Sequence, residues 1–247
     1  CIDTLPAPYG FGADGTTACA GCHDPTRGYS GTEAHPTTAA GKPSLRRAPA
    51  LANVAWIPEL GWDGRGATLS SWLPTHALGQ LNQSLDDAAL ALAASPTYGA
   101  HLARTASGRS HGDTVLAALS AFVITRFVGG SPWDRHEAGV TDAVSADAAA
   151  GYELFMNKAL CGSCHPPPLY TDHAFHRLGL IASPDDGRGR VDAAQGGAFK
   201  TPGLRGAAAR ARFFHDGSAT SLDAAIDWHL AGGRGQGADP RVIDPGL

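Results

Sequence analysis

One motif occurs twice in this chain, as Cys19-Ala20-Gly21-Cys22-His23 and as Cys161-Gly162-Ser163-Cys164-His165, and it constrains the fold more than any other feature. A bare C-x-x-C pair serves a redox dithiol or half of a zinc site. A histidine directly after the pair is the signature of covalent haem attachment. The two thiols form thioethers with the porphyrin vinyl groups, and the adjoining imidazole is set under the iron as proximal ligand. Read so, Cys19, Cys22 and His23 hold one haem, and Cys161, Cys164 and His165 hold a second. The alternative, a zinc ion on Cys19, Cys22, Cys161 and Cys164, leaves both histidines idle.

Two large rigid cofactors make sense of an otherwise odd composition. Gly (32) and Pro (17) are plentiful and aromatic residues make up only 7%, so part of the apolar interior is expected to come from haem. The net charge of −4 is spread along the chain with no basic block, which excludes nucleic acid as a natural partner. No apolar run reaches the roughly 18 residues of a membrane span. Covalent haem is attached outside the cytoplasm, so a periplasmic location is expected, with a secretion signal already removed. Cys1, the odd cysteine, is a lipid-anchor candidate or simply the start of the chain.

Hydrophobic periodicity predicts helices over 68–79, 84–105, 112–128, 145–160 and 219–231, with loops over 1–41, 42–66 and 166–210. Pro74 weakens the first helix. Ser84 and Asp87 open the second in capping-box form. Leu116, Leu119, Phe122, Val123 and Phe127 are spaced to face a core. Gly129-Gly130-Ser131-Pro132 marks a junction. The fold class read from this is mainly α and loop-rich, as two tandem cytochrome c-like domains, 1–130 and 131–247, with one haem each.

Several segments, in this order, resemble the bacterial di-haem cytochrome c peroxidase and MauG superfamily: CAGCHDPTRGYS (19–30), RAPALANVAW (47–56), GWDGR (61–65), SPWDRHEAG (131–139), GYELF with CGSCH (151–165), FKTPGLRG (199–206) and FFHDGSATSLDAAIDWH (213–229). The resemblance implies that peroxide meets the first haem while the second stores an oxidising equivalent, and that Trp62 of GWDGR relays electrons between them. It also implies a calcium ion held by the Asn53 side chain and the backbone carbonyls of Arg210 and Arg212. The sixth ligand of the second haem falls on His229, where conventional peroxidases carry Met and MauG carries Tyr. The family's distal Gln falls on Trp72, the distal Pro of MauG on His76, and the catalytic Glu on Asn82. Asn82 cannot shuttle a proton, so His76 is the remaining acid–base candidate. The loop histidine that blocks the resting first haem in conventional peroxidases falls near Leu45, with His35 in the same shortened region, so the first haem is expected to be five-coordinate and open. MauG's surface tryptophan before the second motif is replaced by Ala159, leaving Trp228, Trp133 and Tyr170 as alternative hopping sites.

The reading is an enzyme that uses hydrogen peroxide to reach a high-valent di-haem state. It then oxidises aromatic residues, tryptophan first, to kynurenine, in a periplasmic partner protein. Compactness and the histidine at 229 resemble the methanobactin-associated branch typified by MbnH, with an MbnP-like partner. The competing readings are a conventional cytochrome c peroxidase and an electron-transfer cytochrome.

Overall fold

Most helices in this protein begin where a hydroxyl side chain caps them. A computed structural model describes residues 11–180, 185–233 and 238–239, and Cys1 lies outside these. The helices among the described residues are α1 (Cys19–Cys22), α2 (Leu69–Leu81), α3 (Leu85–Ala93), α4 (Gly99–Thr105), α5 (His111–Ile124), α6 (Pro132–Glu137), α7 (Ala146–Glu153) and α8 (Leu222–Leu230). Thr68, Ser84, Ser110, Ser131, Ser145 and Ser221 each accept a hydrogen bond from the backbone N–H three residues on. Ser84 donates its hydroxyl to Asp87 Oδ2 at 2.7 Å. Asp87, a methylene shorter than Glu, thus binds the cap hydroxyl.

The expected helix over 84–105 is two helices, because Pro96 disfavours helical backbone at Ser95 and lacks an N–H of its own. The expected helix over 112–128 stops at Ile124, so Phe127 is not a core residue. It is 63% exposed and lies edge-on to Trp56. A helix that the periodicity did not show, α6, follows the Gly129-Gly130 pair, started by Ser131 and Pro132 and boxed by Asp134. The helix before the second motif ends in a π-turn, Leu154–Lys158. β1 (Phe175–His176) pairs antiparallel with β2 (Phe199–Lys200), Phe175 opposite Lys200. The architecture is helix-rich with little sheet, as expected. No helix among the described residues is long and apolar enough to cross a membrane.

Packing concentrates in the first half. Leu81, Leu85, Ala89, Leu102 and Val115 form one buried cluster, against which Leu116 and Leu119 pack. Val54, Leu60 and Val123 form another, flanked by Trp72 and Phe122. The second half is tied across to the first by polar contacts. Arg46 bonds Asp63 at 2.8 Å and clamps both oxygens of Asp185, and the two carboxylates are fully buried. Arg188 reaches Glu59 at 3.0 Å, and the Lys200 N–H donates to the Trp62 carbonyl at 2.8 Å.

Candidate functional site

The first motif opens onto a cavity of about 340 Å³, lined by Cys19, Cys22, His23, Trp62, Trp72 and His76 among others. His23 is fixed by Nδ1, which donates to the Tyr29 carbonyl at 3.1 Å, so Nε2 is the nitrogen that would hold an iron. Tyr29 presents that carbonyl from a left-handed backbone (φ 56). The second motif repeats the device: His165 Nδ1 lies 2.8 Å from the carbonyl of Tyr170, which is also left-handed (φ 55). A tyrosine five or six residues after each motif histidine is the sequence signal for this pair of anchors.

Trp72 and His76, one helical turn apart on α2, stack at 5.5 Å and 24°, and Arg65 sits 5.6 Å from the Trp72 ring. Gly66 makes room for the indole, since a Cβ there would come within 2.7 Å of Trp72 Cε3. Burial, with smaller contributions from His23 and Arg65, pushes His76 down to about 4, so its imidazole is neutral. Trp62 is buried. Its Nε1 donates to the Arg47 carbonyl at 2.8 Å and the Arg47 guanidinium lies 5.3 Å from its ring. The indole therefore stands at the seam between the first cavity and the 199–203 strand and turn.

Haem fits this cavity. Among the described residues Arg47 and Arg210 line it without an ion-pair partner, and the Lys200 ammonium donates to the Glu59 carbonyl. Burial first, and neighbouring Arg210 next, lowers Arg47 to about 10. Burial lowers Arg210 to about 10 and Lys200 to about 8. Cations held away from water without a direct ion pair are costly, and the carboxylates of a haem would supply one; Asp216 acts on Arg47, and Glu59 and Asp63 on Lys200, only at a distance. None of the three was anticipated in this role. The four motif cysteines do not converge. The metal-ligating cluster among the described residues is Cys164, Asp172 and His176, so the zinc alternative has no site.

Around the second motif, His229 Nδ1 bonds the Ala225 carbonyl at 2.7 Å, and its ring lies 5.7 Å from Phe214. Burial lowers His165 to about 4, and nearby His229 adds to the effect. His229 thus acts electrostatically on His165, and its Nδ1 is spent on its own helix. The chain's single methionine, Met156, packs on Gly162 inside the motif, where a Cβ would come within 2.6 Å of its sulfur.

Other expected residues fall elsewhere. Asn82 caps the end of α2 in a left-handed conformation (φ 51), exposed and outside the cavity lining. The α2 helix runs on to Leu81, which carries Asn82 past the cavity. His35 is exposed on the Ser44 carbonyl, whereas Leu45 does line the cavity. Asn53 staples Val128 with bonds of 2.9 and 3.1 Å. With Arg210 it lines a small second cavity that has no carboxylate, and Arg212 is outside it, bonded to Thr32 and Gly217. That cavity offers a calcium ion neutral oxygens only. Trp133 packs on Tyr152 at 4.1 Å, and the rings continue through Phe155 to Tyr170 at 6.3 and 6.4 Å, while Trp228 donates to the Leu178 carbonyl. His215, also unanticipated, is buried on Phe199 with Nε2 unpaired.

A family model described as di-haem cytochrome c peroxidase matches residues 9–142. The methylamine utilization protein MauG of Methylorubrum extorquens is 37% identical, over 89% of this chain and 64% of its own length. MauG of Methylophilus methylotrophus is 34% identical, over 86% and 66%, and the cytochrome c peroxidase Ccp of Escherichia coli 29%, over 87% and 49%. The chain thus spans less than two thirds of these relatives. Among solved structures, a MauG-like protein associated with microbial copper homeostasis superposes with a TM-score of 0.84 at 22% identity, covering 97% of this chain and 81% of that one. The diheme peroxidase BthA of Burkholderia thailandensis gives 0.72 at 23%, covering 87% and 67%.

Proposed function

The chain belongs to the di-haem cytochrome c peroxidase family, and we propose that it uses hydrogen peroxide to oxidise aromatic residues, tryptophan first, of a periplasmic partner protein. In this reading its halves, 1–130 and 131–247, are tandem cytochrome c-like domains, each with a covalent c-type haem. Haem supplies the redox chemistry, and the protein supplies position, proton transfer and the path between the two centres. Reduction of peroxide to two waters takes two protons and two electrons, and the electrons come from the partner's side chain.

The observation that carries the reading is the ligand set around the second motif. The one methionine packs against Gly162, and a histidine, His229, acts electrostatically on His165. Nitrogen in place of thioether favours the higher oxidation state, which suits stored oxidising power better than a conventional electron-accepting peroxidase. Trp62, buried and held through both its indole N–H and its carbonyl, is the assigned relay. His76, neutral and facing the first cavity, is the proton carrier, with Trp72 orienting it; Asn82 has no part. The calcium ion expected at Asn53 and the carbonyls of Arg210 and Arg212 finds little support, because the cavity there is lined by Arg205 and Arg210 and the Asn53 oxygen accepts from Val128.

The test is to add stoichiometric peroxide to the ferric holoprotein without reductant and record visible and near-infrared absorption. A long-lived near-infrared band supports the protein-oxidising reading. Turnover that requires a reduced cytochrome donor transfers the assignment to a conventional peroxidase.

A further inference from the structure

The first cavity holds a spacing that an acid–base role for His76 does not explain. The His23 and His76 rings, both lining it, have centroids only 6.2 Å apart with planes at 59°. Two imidazoles that bind one metal from opposite sides, with metal–nitrogen distances of about 2 Å, bring their ring centroids to roughly 6 Å. A histidine that instead reaches a peroxide held at the iron stands farther off by about one hydrogen-bond length, roughly 3 Å. The observed spacing matches the first arrangement and leaves no room for the second.

Two further features fit a ligand. No protein group hydrogen-bonds either ring nitrogen of His76 among the described residues. Its ring plane is set by the Trp72 stack, and the Trp72 indole is itself held by Arg65 and the space at Gly66. A ring held by stacking alone keeps its nitrogens available.

We propose that His76 is the sixth ligand of the first haem iron in the resting ferric protein, opposite His23, and that peroxide enters only when this bond is released. The proposal rests on the di-haem reading and corrects its expectation of an open, five-coordinate first haem. Release is a ligand exchange with no net redox change. The freed imidazole stays in the cavity, where it serves as the proton carrier. Pro74, between Trp72 and His76, has no N–H to give the Ser70 carbonyl its helical bond. The turn that carries His76 is therefore the least firmly held in α2.

The experiment is electron paramagnetic resonance of the ferric holoprotein at neutral pH, after a pyridine haemochrome assay has counted haem per chain. The proposal expects low-spin signals from both haems. In His76→Gly one low-spin signal is lost and a high-spin signal replaces it, and added imidazole restores the original spectrum. A high-spin haem in the wild-type protein overturns the proposal whether or not the variant folds. So does a His76→Gly protein that keeps both low-spin signals. A haem count other than two per chain would instead count against the di-haem reading itself.

Discussion

Around the first haem motif, helices α2 to α5 bury leucines and valines in clusters of their own. Around the second, the buried apolar residues of 132–233 among those described are alanines: Ala198, Ala207, Ala219 and Ala225. Both regions anchor the proximal histidine in the same way, on the carbonyl of a left-handed tyrosine. They differ in what surrounds that anchor. A region without large buried aliphatics cannot offset its conformational entropy by protein packing alone. The second region therefore depends on its cofactor for an interior, while the first has a helical core that stands beside its cofactor.

The largest expected effect breaks this symmetry directly. Replacing Cys161 and Cys164 by Ser should leave the second region open to proteolysis, whereas Cys19→Ser with Cys22→Ser should empty the first cavity yet keep α2 to α5. Limited proteolysis with mass spectrometry, alongside far-ultraviolet circular dichroism, separates the two outcomes. Equal protection of both regions in both variants would break the comparison.

Next comes the ion-pair bridge between the regions. Arg46→Ala leaves Asp63 and Asp185 buried without their shared cation. The expected loss is about 3–5 kcal/mol, the range for breaking a buried pair, read by denaturant unfolding of the holoprotein. Asn53→Ala removes two bonds to Val128 within the first region and should cost about 1–3 kcal/mol. Chelation of calcium should add to that loss only if the ion is bound.

The smallest effect concerns charge. His76 in the first region is pushed down to about 4, but His176 in the second is pushed up to about 9 by Cys164, Asp172 and Asp239, against the pull of burial. Its folded value lies above the unfolded one, so its contribution is complete below pH 6.5 and fades as pH rises above that. A thioether at Cys164 removes that residue's share and leaves the two carboxylates. Thermal melts from pH 6 to 10 should show the 172–176 and 238–239 contacts loosening first, followed by hydrogen exchange.

How much of this was legible in the sequence follows from the range of the interactions involved. The two motifs and the helix cap at Ser84 are local, and each appears where its residues predict. The split at Pro96 was legible too, since the proline is in plain view; the periodicity on either side of it masked the break. Asn82 was assigned by counting from GWDGR, and counting does not show that α2 ends at Leu81 and leaves Asn82 as an exposed cap. The buried cations Arg47, Lys200 and Arg210 meet across more than 150 residues of chain, and no local pattern reports such a meeting. The 6.2 Å approach of His23 and His76 is of the same kind.

The central claim is that the two regions act as one redox unit joined through Trp62. Its most direct test is to treat ferric holoprotein and its Trp62→Phe variant with one equivalent of hydrogen peroxide, then freeze and count the ferric resonance signal of each haem. The account predicts that both signals fall together in the wild-type protein, and that Trp62→Phe uncouples them while haem content is unchanged. Loss of one signal only in the wild-type protein, or joint loss that survives Trp62→Phe, would contradict it.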